Sequence, residues 1–257
     1  MNYTKPLSFT TKVVVQEFYE NSDNSSADQK SKEPLSVSCL FPKTNNTATV
    51  QISLKSASIA YVLGAAAFFL VFASSAALLA DYLTGYNSVV IHKIVKLFYV
   101  DIELNVPAFF SMLLLLFASS LLTVIAILKR KQMDSYTWQW AILAGGFLFM
   151  AFDEIVSVHE RLIEPMRAIL GKEHLGVLYF AWVVPAAALV LFIAVCFLKF
   201  LWNIPAKTRL HFVIAATLFL GGAIGFEFIE GFHSEIHGKE NLTYMILTTV
   251  EETLEML

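Results

Sequence analysis

Apolar and polar positions follow two different periods along this chain. Within residues 1–57 the apolar positions come in short runs, Lys12 to Tyr19, Leu35 to Phe41 and Ala48 to Leu54. The last alternates Val50, Ile52 and Leu54 against Gln51, Ser53 and Lys55, a period of two that predicts a strand. Asn21 to Lys32 and Lys43 to Thr47, between the runs, have loop composition. The head therefore reads as a small three-stranded sheet, or as a tail that orders on a partner. It lacks a basic segment followed by an apolar one, so no cleaved signal peptide is expected.

Beyond residue 57 the runs lengthen. Ser58–Leu79, Pro107–Leu128, Trp138–Glu160, Gly176–Trp202 and Thr208–His233 each reach the roughly 20 residues a bilayer crossing needs. A sixth run, Leu242–Leu257, would rise only about 24 Å as a helix. It is predicted to be a short tilted helix, a half-helix or an incomplete span. Tyr86 to Asp101 differs: Val90, Ile94, Leu97 and Phe98 share one face while His92, Lys93 and Lys96 lie elsewhere. This pattern predicts a helix lying in the interface. The fold class expected is an all-α polytopic membrane bundle at 58–257, with five to six spans and one interfacial helix, preceded by a β-rich or partly ordered head at 1–57.

Composition narrows the choice. The chain is 57% hydrophobic and 15% charged with mean hydropathy +0.64, too apolar for a soluble domain. A net charge of -3 gives no nucleic-acid signal. Cys39 and Cys196 do not form a disulfide framework. Small residues mark packing faces at Gly64 to Ala67 and Ala73 to Ala77 in the first span and at Gly145-Gly146 in the third, and Gly221 and Gly225 make a small-xxx-small spacing in the fifth.

Basic residues indicate orientation. In the short loops, Lys129, Arg130, Lys131, Lys199, Lys207 and Arg209 on one side balance Lys93, Lys96, Arg161, Arg167, Lys172 and Lys239 on the other, six against six. Six lysines in the head and the longer far-side loops tip the balance towards a cytoplasmic head. Trp138, Trp140 and Trp202 would then form one aromatic belt, with Tyr179 and Trp182 near the other.

The acids carry the candidate chemistry. If the spans alternate, Glu103 and Asn105, then Asp153, Glu154, Ser157, His159 and Glu160, then Glu227, Glu230 and His233, all arrive at one membrane face. Leu242–Leu257 starts there and carries Glu251, Glu252 and Glu255 inward. Helical spacing aligns Asp153, Ser157, Glu160 and Glu164 in one stripe, Glu227, Glu230 and Ser234 in a second, and Glu251 with Glu255 in a third. Glu160, Glu164, His233 and Ser234 also suit simple solvation at a helix end. Asp153, Glu227, Glu230, Glu251 and Glu255 lie deeper, where an ionisable group calls for a partner.

Nine carboxylates within a few turns cannot all be ionised without cations, and Arg161 is the basic residue near the stripe that Asp153 begins. The balance must come from metal, shared protons or water. Oxygen-rich ligands with histidine favour iron, manganese or zinc. The expected ligands of a divalent metal are Asp153, Glu160, Glu227, Glu230, His233, Glu251 and Glu255, with His159 and Asp153 as the catalytic residues and His159 a ligand or proton carrier.

Glu230-Gly-Phe-His233 resembles half of a ferritin-like di-iron site, a family that pairs two E-x-x-H helices with two single-Glu helices. Val156 stands where a second motif ending at His159 would need Glu. His233-Ser-Glu-Ile-His237 is similar to a zinc-binding piece of the ceramidase and progestin-receptor membrane hydrolases, whose other ligand histidine has no clear counterpart here.

Three functions fit these residues. The first is a metal-dependent membrane oxidoreductase or hydrolase acting on a lipid or other apolar substrate. The second is a non-catalytic subunit whose head and helix faces bind other membrane subunits. The third is a proton or cation conduit, which the nearly acid-free opposite halves of the spans argue against.

Overall fold

The structure is a computed structural model that describes residues 56–171 and 174–257. The strand-like runs of the head lie outside the described residues. The chain divides into Met1–Val62 and Leu63–Leu257. Of the first unit only the opening of one helix is described, and the helical bundle belongs to the second.

Every regular element among the described residues is helical. In chain order they are α1 (Ser56–Leu83), α2 (Val89–Phe98), α3 (Val106–Lys131), α4 (Thr137–Val156), α5 (Val158–Arg161) and α6 (Ile163–Leu170). A 3₁₀ turn (Gly176–Leu178) leads to α7 (Val183–Asn203) and α8 (Ala206–Leu220), and a π turn (Gly221–Phe226) joins α8 to α9 (Glu227–His237). The last helix is α10 (Leu242–Met256). Five segments are long and apolar enough to cross a membrane: Ala57–Leu83, Val106–Lys131, Thr137–Val156, Val183–Asn203 and Ala206–His237. At 15 residues α10 is the short helix its sequence predicts.

Local chemistry sets the ends of these helices. Asn105 caps α3, its side chain accepting from the Ala108 N–H at 3.1 Å, with Pro107 in the first turn where no N–H is needed. Pro205 holds Ile204 extended and so separates α7 from α8. Asn241 caps α10 through the Tyr244 N–H at 3.0 Å. The third span stops at Val156, not Glu160, because Ser157 adopts a left-handed conformation (φ 50°, ψ 52°) and α5 restarts in a new direction. The fourth starts at Val183 rather than Gly176, since 176–178 is a 3₁₀ turn.

Two apolar clusters hold the bundle. Near α10, Ala67 and Ala77 of α1 pack with Val95, Tyr99, Val100 and Met256. At the end remote from the acids, Phe200 is 1% exposed and packs with Trp140, Phe197, Leu122 and Ala126. Trp140 thus turns into the bundle, edge-on to Phe200 at 5.0 Å, rather than joining a belt. Trp138 and Trp202 remain outward. In α2 the face on the protein is Ile91 and Val95, whereas Val90, Ile94 and Leu97 are exposed, as an interfacial helix that presents its apolar face to lipid would have them.

The small residues Ala67 and Ala77 of the first span do pack inward, but the glycines that the spacing suggests do not. A Cβ on Gly145, Gly146, Gly221 or Gly225 would meet nothing within 4 Å. One on Gly222 would lie 3.0 Å from the Glu251 carbonyl oxygen and 3.1 Å from Leu254 Cβ, so Gly222 is where α10 docks. Gly231 plays the same part for the 3₁₀ segment, with Tyr179 Cβ at 3.2 Å.

Candidate functional site

The acid-bearing ends do meet, but through pairs. Glu103, on the α2–α3 connection, accepts a hydrogen bond from the Ser157 hydroxyl at the break after α4. Asp153 turns back over the same break. Its Oδ2 meets His159 Nδ1 at 2.7 Å and its Oδ1 accepts from the His159 N–H at 3.1 Å. The left-handed residue at Ser157 makes this possible, because it breaks the helix between α4 and α5. It also ends the predicted stripe: Glu160 and Glu164 lie beyond the break and are exposed.

Trp182 closes one side. Its ring lies 4.8 Å from the His159 ring, and its indole N–H donates to Glu227 Oε1 at 2.9 Å. The residue read as a belt tryptophan is therefore a wall of the acid site. Three residues beyond Glu227, Glu230 is 2% exposed and lies beside Glu251 of α10. The charge of Glu154 acts on Glu252 and Glu255 of α10.

His233 does not turn towards Glu230. Its Nε2 is 2.8 Å from Asn241 Oδ1, and its ring stacks on His237 at 4.8 Å. The E-x-x-H spacing thus carries one residue into the site and one onto the α9–α10 loop. Among the described residues no three His, Cys, Asp or Glu side chains stand together as a ready ion-holding group.

What the site leaves unpaired is informative. Glu227 Oε2, Glu230 Oε1 and Ser234 Oγ are buried oxygens with no hydrogen-bond partner among the described residues. All three lie on the one stripe of α9 that spacing predicted. Buried polar atoms in folded proteins are nearly always satisfied, so this row of oxygens calls for a proton, water or cation.

His159 lies just outside the spans, and its protonation can be argued. Burial pulls its pKa down, but the Asp153 hydrogen bond and the charges of Asp153, Glu227 and Glu160 outweigh it and hold it above the ordinary value. A histidine raised in the folded state contributes stability in full below its unfolded pKa of about 6.5, and that contribution is lost as pH rises through the folded value. Histidine-labelled NMR in detergent is expected to show His159 titrating above about pH 6.5, and dropping in Asp153→Asn. A resonance unchanged by that substitution would show that the pair does not set the proton affinity.

Sequence reasoning did not single out Trp182 as a site residue. Trp182 had one weak signal, an indole N–H at the predicted acid-bearing face, where buried tryptophans seek an acceptor.

Residues 62–257 match a family described as a domain of unknown function (DUF8692), and the chain belongs to that family. Neither a curated protein nor a solved structure matches the chain.

Proposed function

We propose that this member of the DUF8692 family is a membrane-embedded enzyme that holds a divalent metal ion among its buried carboxylates and acts on a lipid or other apolar substrate. The observation that carries the reading is the row of unpartnered buried oxygens on α9, Glu227 Oε2, Glu230 Oε1 and Ser234 Oγ. Glu227 and Glu230 would hold the ion from α9, with Glu251 and Glu255 from α10. Carboxylate oxygens of this kind suit iron, manganese or zinc. When bound, such an ion supplies Lewis-acid or redox chemistry.

The chain's own residues supply the rest. Asp153 orients His159 through Nδ1, leaving Nε2 to take up or deliver a proton at the site. Trp182 covers His159 and fixes one oxygen of Glu227, which keeps water from that side. An apolar substrate would reach the site from lipid, since the spans are widely exposed along their apolar faces. The acid-bearing end would face away from the cytoplasm, as the distribution of lysine and arginine favours.

Elemental analysis of detergent-purified protein tests this reading. Wild type is expected to carry one or two equivalents of iron, manganese or zinc, and Glu230→Gln to lose most of it while staying monodisperse. Metal-free wild type that takes up none of these ions on incubation would overturn the proposal and leave the carboxyl pairs as proton carriers.

A further inference from the structure

We propose that the groove between the end of α7 and the start of α8 binds an anionic phospholipid, with an acyl chain along the groove and the phosphate on Arg209. Leu198, Leu201 and Trp202 lie three and four residues apart on α7, and Val213 lies three and four residues beyond Leu210 and Arg209 on α8. Each set is one helical stripe. The extended Ile204 and Pro205 join the two helices directly, which sets the stripes side by side. Together they line an open groove of about 440 Å³, within the roughly 300–1,000 Å³ of small-molecule sites.

Its walls are apolar and its mouth is cationic. Leu198, Leu210 and Val213 are exposed, and both helices belong to segments long and apolar enough to cross a membrane, so lipid is what meets them in a bilayer. The Arg209 guanidinium carbon lies 4.7 Å from the Trp202 ring centroid, and Nη1 donates to the Trp202 carbonyl at 3.5 Å. Stacking of this kind holds a guanidinium in place without using its N–H donors. No carboxylate of the described residues pairs with it. No side chain caps the first turn of α8 either, and an uncapped first turn also attracts an anion.

A guanidinium fork matches two oxygens of a phosphate, and a tryptophan ring suits the level of the headgroups. A free phosphate would satisfy Arg209 and leave the groove unfilled. A neutral lipid would fill the groove and leave the guanidinium without a counter-charge. An anionic phospholipid answers both. The surroundings favour the same charge: Asn203 donates to the Tyr136 hydroxyl at 2.6 Å, which brings the α3–α4 turn alongside. Lys129, Arg130 and Lys131 stand there, and the neighbouring Asp134 is taken by Lys129 at 2.8 Å. In the orientation that lysine and arginine favour, this end meets the cytoplasmic leaflet, where anionic lipids lie. The groove is at the bundle end remote from the acids and needs no metal ion there.

Native mass spectrometry of full-length, detergent-purified protein tests this, with phosphatidylglycerol against phosphatidylcholine of the same acyl chains. Wild type is expected to hold phosphatidylglycerol at least about fivefold more tightly. Arg209→Gln is expected to bring the two lipids within about twofold of each other. Arg130→Gln, at the same end but outside the groove, should keep the wild-type preference. Leu210→Glu sets a carboxylate on the groove wall and is expected to lose phosphatidylglycerol as well. Leu210 is 58% exposed, so this variant carries the test even where Arg209→Gln is not monodisperse. Equal binding of both lipids by wild type overturns the inference, as does a preference that survives Arg209→Gln or Leu210→Glu. An equal loss in Arg130→Gln also overturns it, because the charge of the whole end would then be responsible. Displacement of the lipid by soluble glycerol phosphate at equal concentration overturns it too, because the groove would then contribute nothing.

Discussion

Replacing Gly222 with valine is expected to lower the thermal midpoint of the detergent-solubilised protein by about 5–10 °C, for a loss of roughly 2–3 kcal/mol. The reason is backbone against backbone. A Cβ at Gly222 would stand 3.0 Å from the Glu251 carbonyl oxygen, 3.1 Å from Leu254 Cβ and 3.2 Å from Glu255 Cγ. The first of these atoms cannot swing aside as a side chain would, so α10 must move as a body. Its displacement would also strain the Tyr99–Thr248 hydroxyl pair at 2.9 Å and part Glu251 from Glu230. If the acids hold a metal ion as proposed, its content is expected to fall along with stability. Gly225→Ala is the control, since its Cβ would meet nothing within 4 Å, and it should leave the midpoint unchanged or slightly higher. A Gly222→Val protein that melts with wild type would show that α10 does not dock on the π turn.

Phe200→Ala is expected to cost stability without touching the site. Phe200 is 1% exposed and meets Trp140, Phe197 and Tyr136 at ring separations of 5.0, 5.6 and 5.9 Å. Phenylalanine truncations in water-soluble cores cost about 3–5 kcal/mol. In a bilayer the loss falls mainly on packing, because lipid tails are as apolar as the protein interior. Roughly 2–4 kcal/mol is therefore expected, seen as a lower midpoint in the same thermal assay. If the acids hold a metal ion as proposed, the folded fraction should keep it, because this cluster lies at the bundle end remote from the acids. Loss of metal from protein that is still folded would mean that the two ends are coupled.

The two substitutions contrast the ends of one bundle. At the Phe200 end, aromatic packing supplies rigidity and acids are few. At the other, a glycine contact, a left-handed serine and paired carboxyls replace aromatic bulk. The π turn belongs to this second end. Wide turns of this kind in α-helices occur frequently at functional sites. Here it ends immediately before Glu227 and offers Gly222 to α10.

Spans were legible in the sequence because they are set by local quantities, length and apolarity. Long apolar runs marked all five segments, and the short sixth run is a short helix. Alternating crossings were enough to bring Glu103, Asp153, Glu227 and Glu251 to one end. Within an unbroken helix the 3.6-residue period also told which residues share a face, and Glu227, Glu230 and Ser234 form one buried row. The same period misled wherever the helix was interrupted. Ser157 leaves the right-handed region, so a stripe drawn from Asp153 through Glu160 to Glu164 does not exist beyond it. Across the π turn the period changes, and the glycine that packs is Gly222 rather than Gly221 or Gly225. Partners were legible to a smaller extent still. That His233 bonds Asn241 and that Trp182 meets Glu227 both depend on contacts between elements. The sequence by itself determined a multi-span apolar bundle with its acids gathered at one end, because hydropathy and helical period act within a few turns. Tertiary structure alone decided which acids pair with which groups, because hydrogen bonds and close contacts depend on side-chain directions that a broken helix resets.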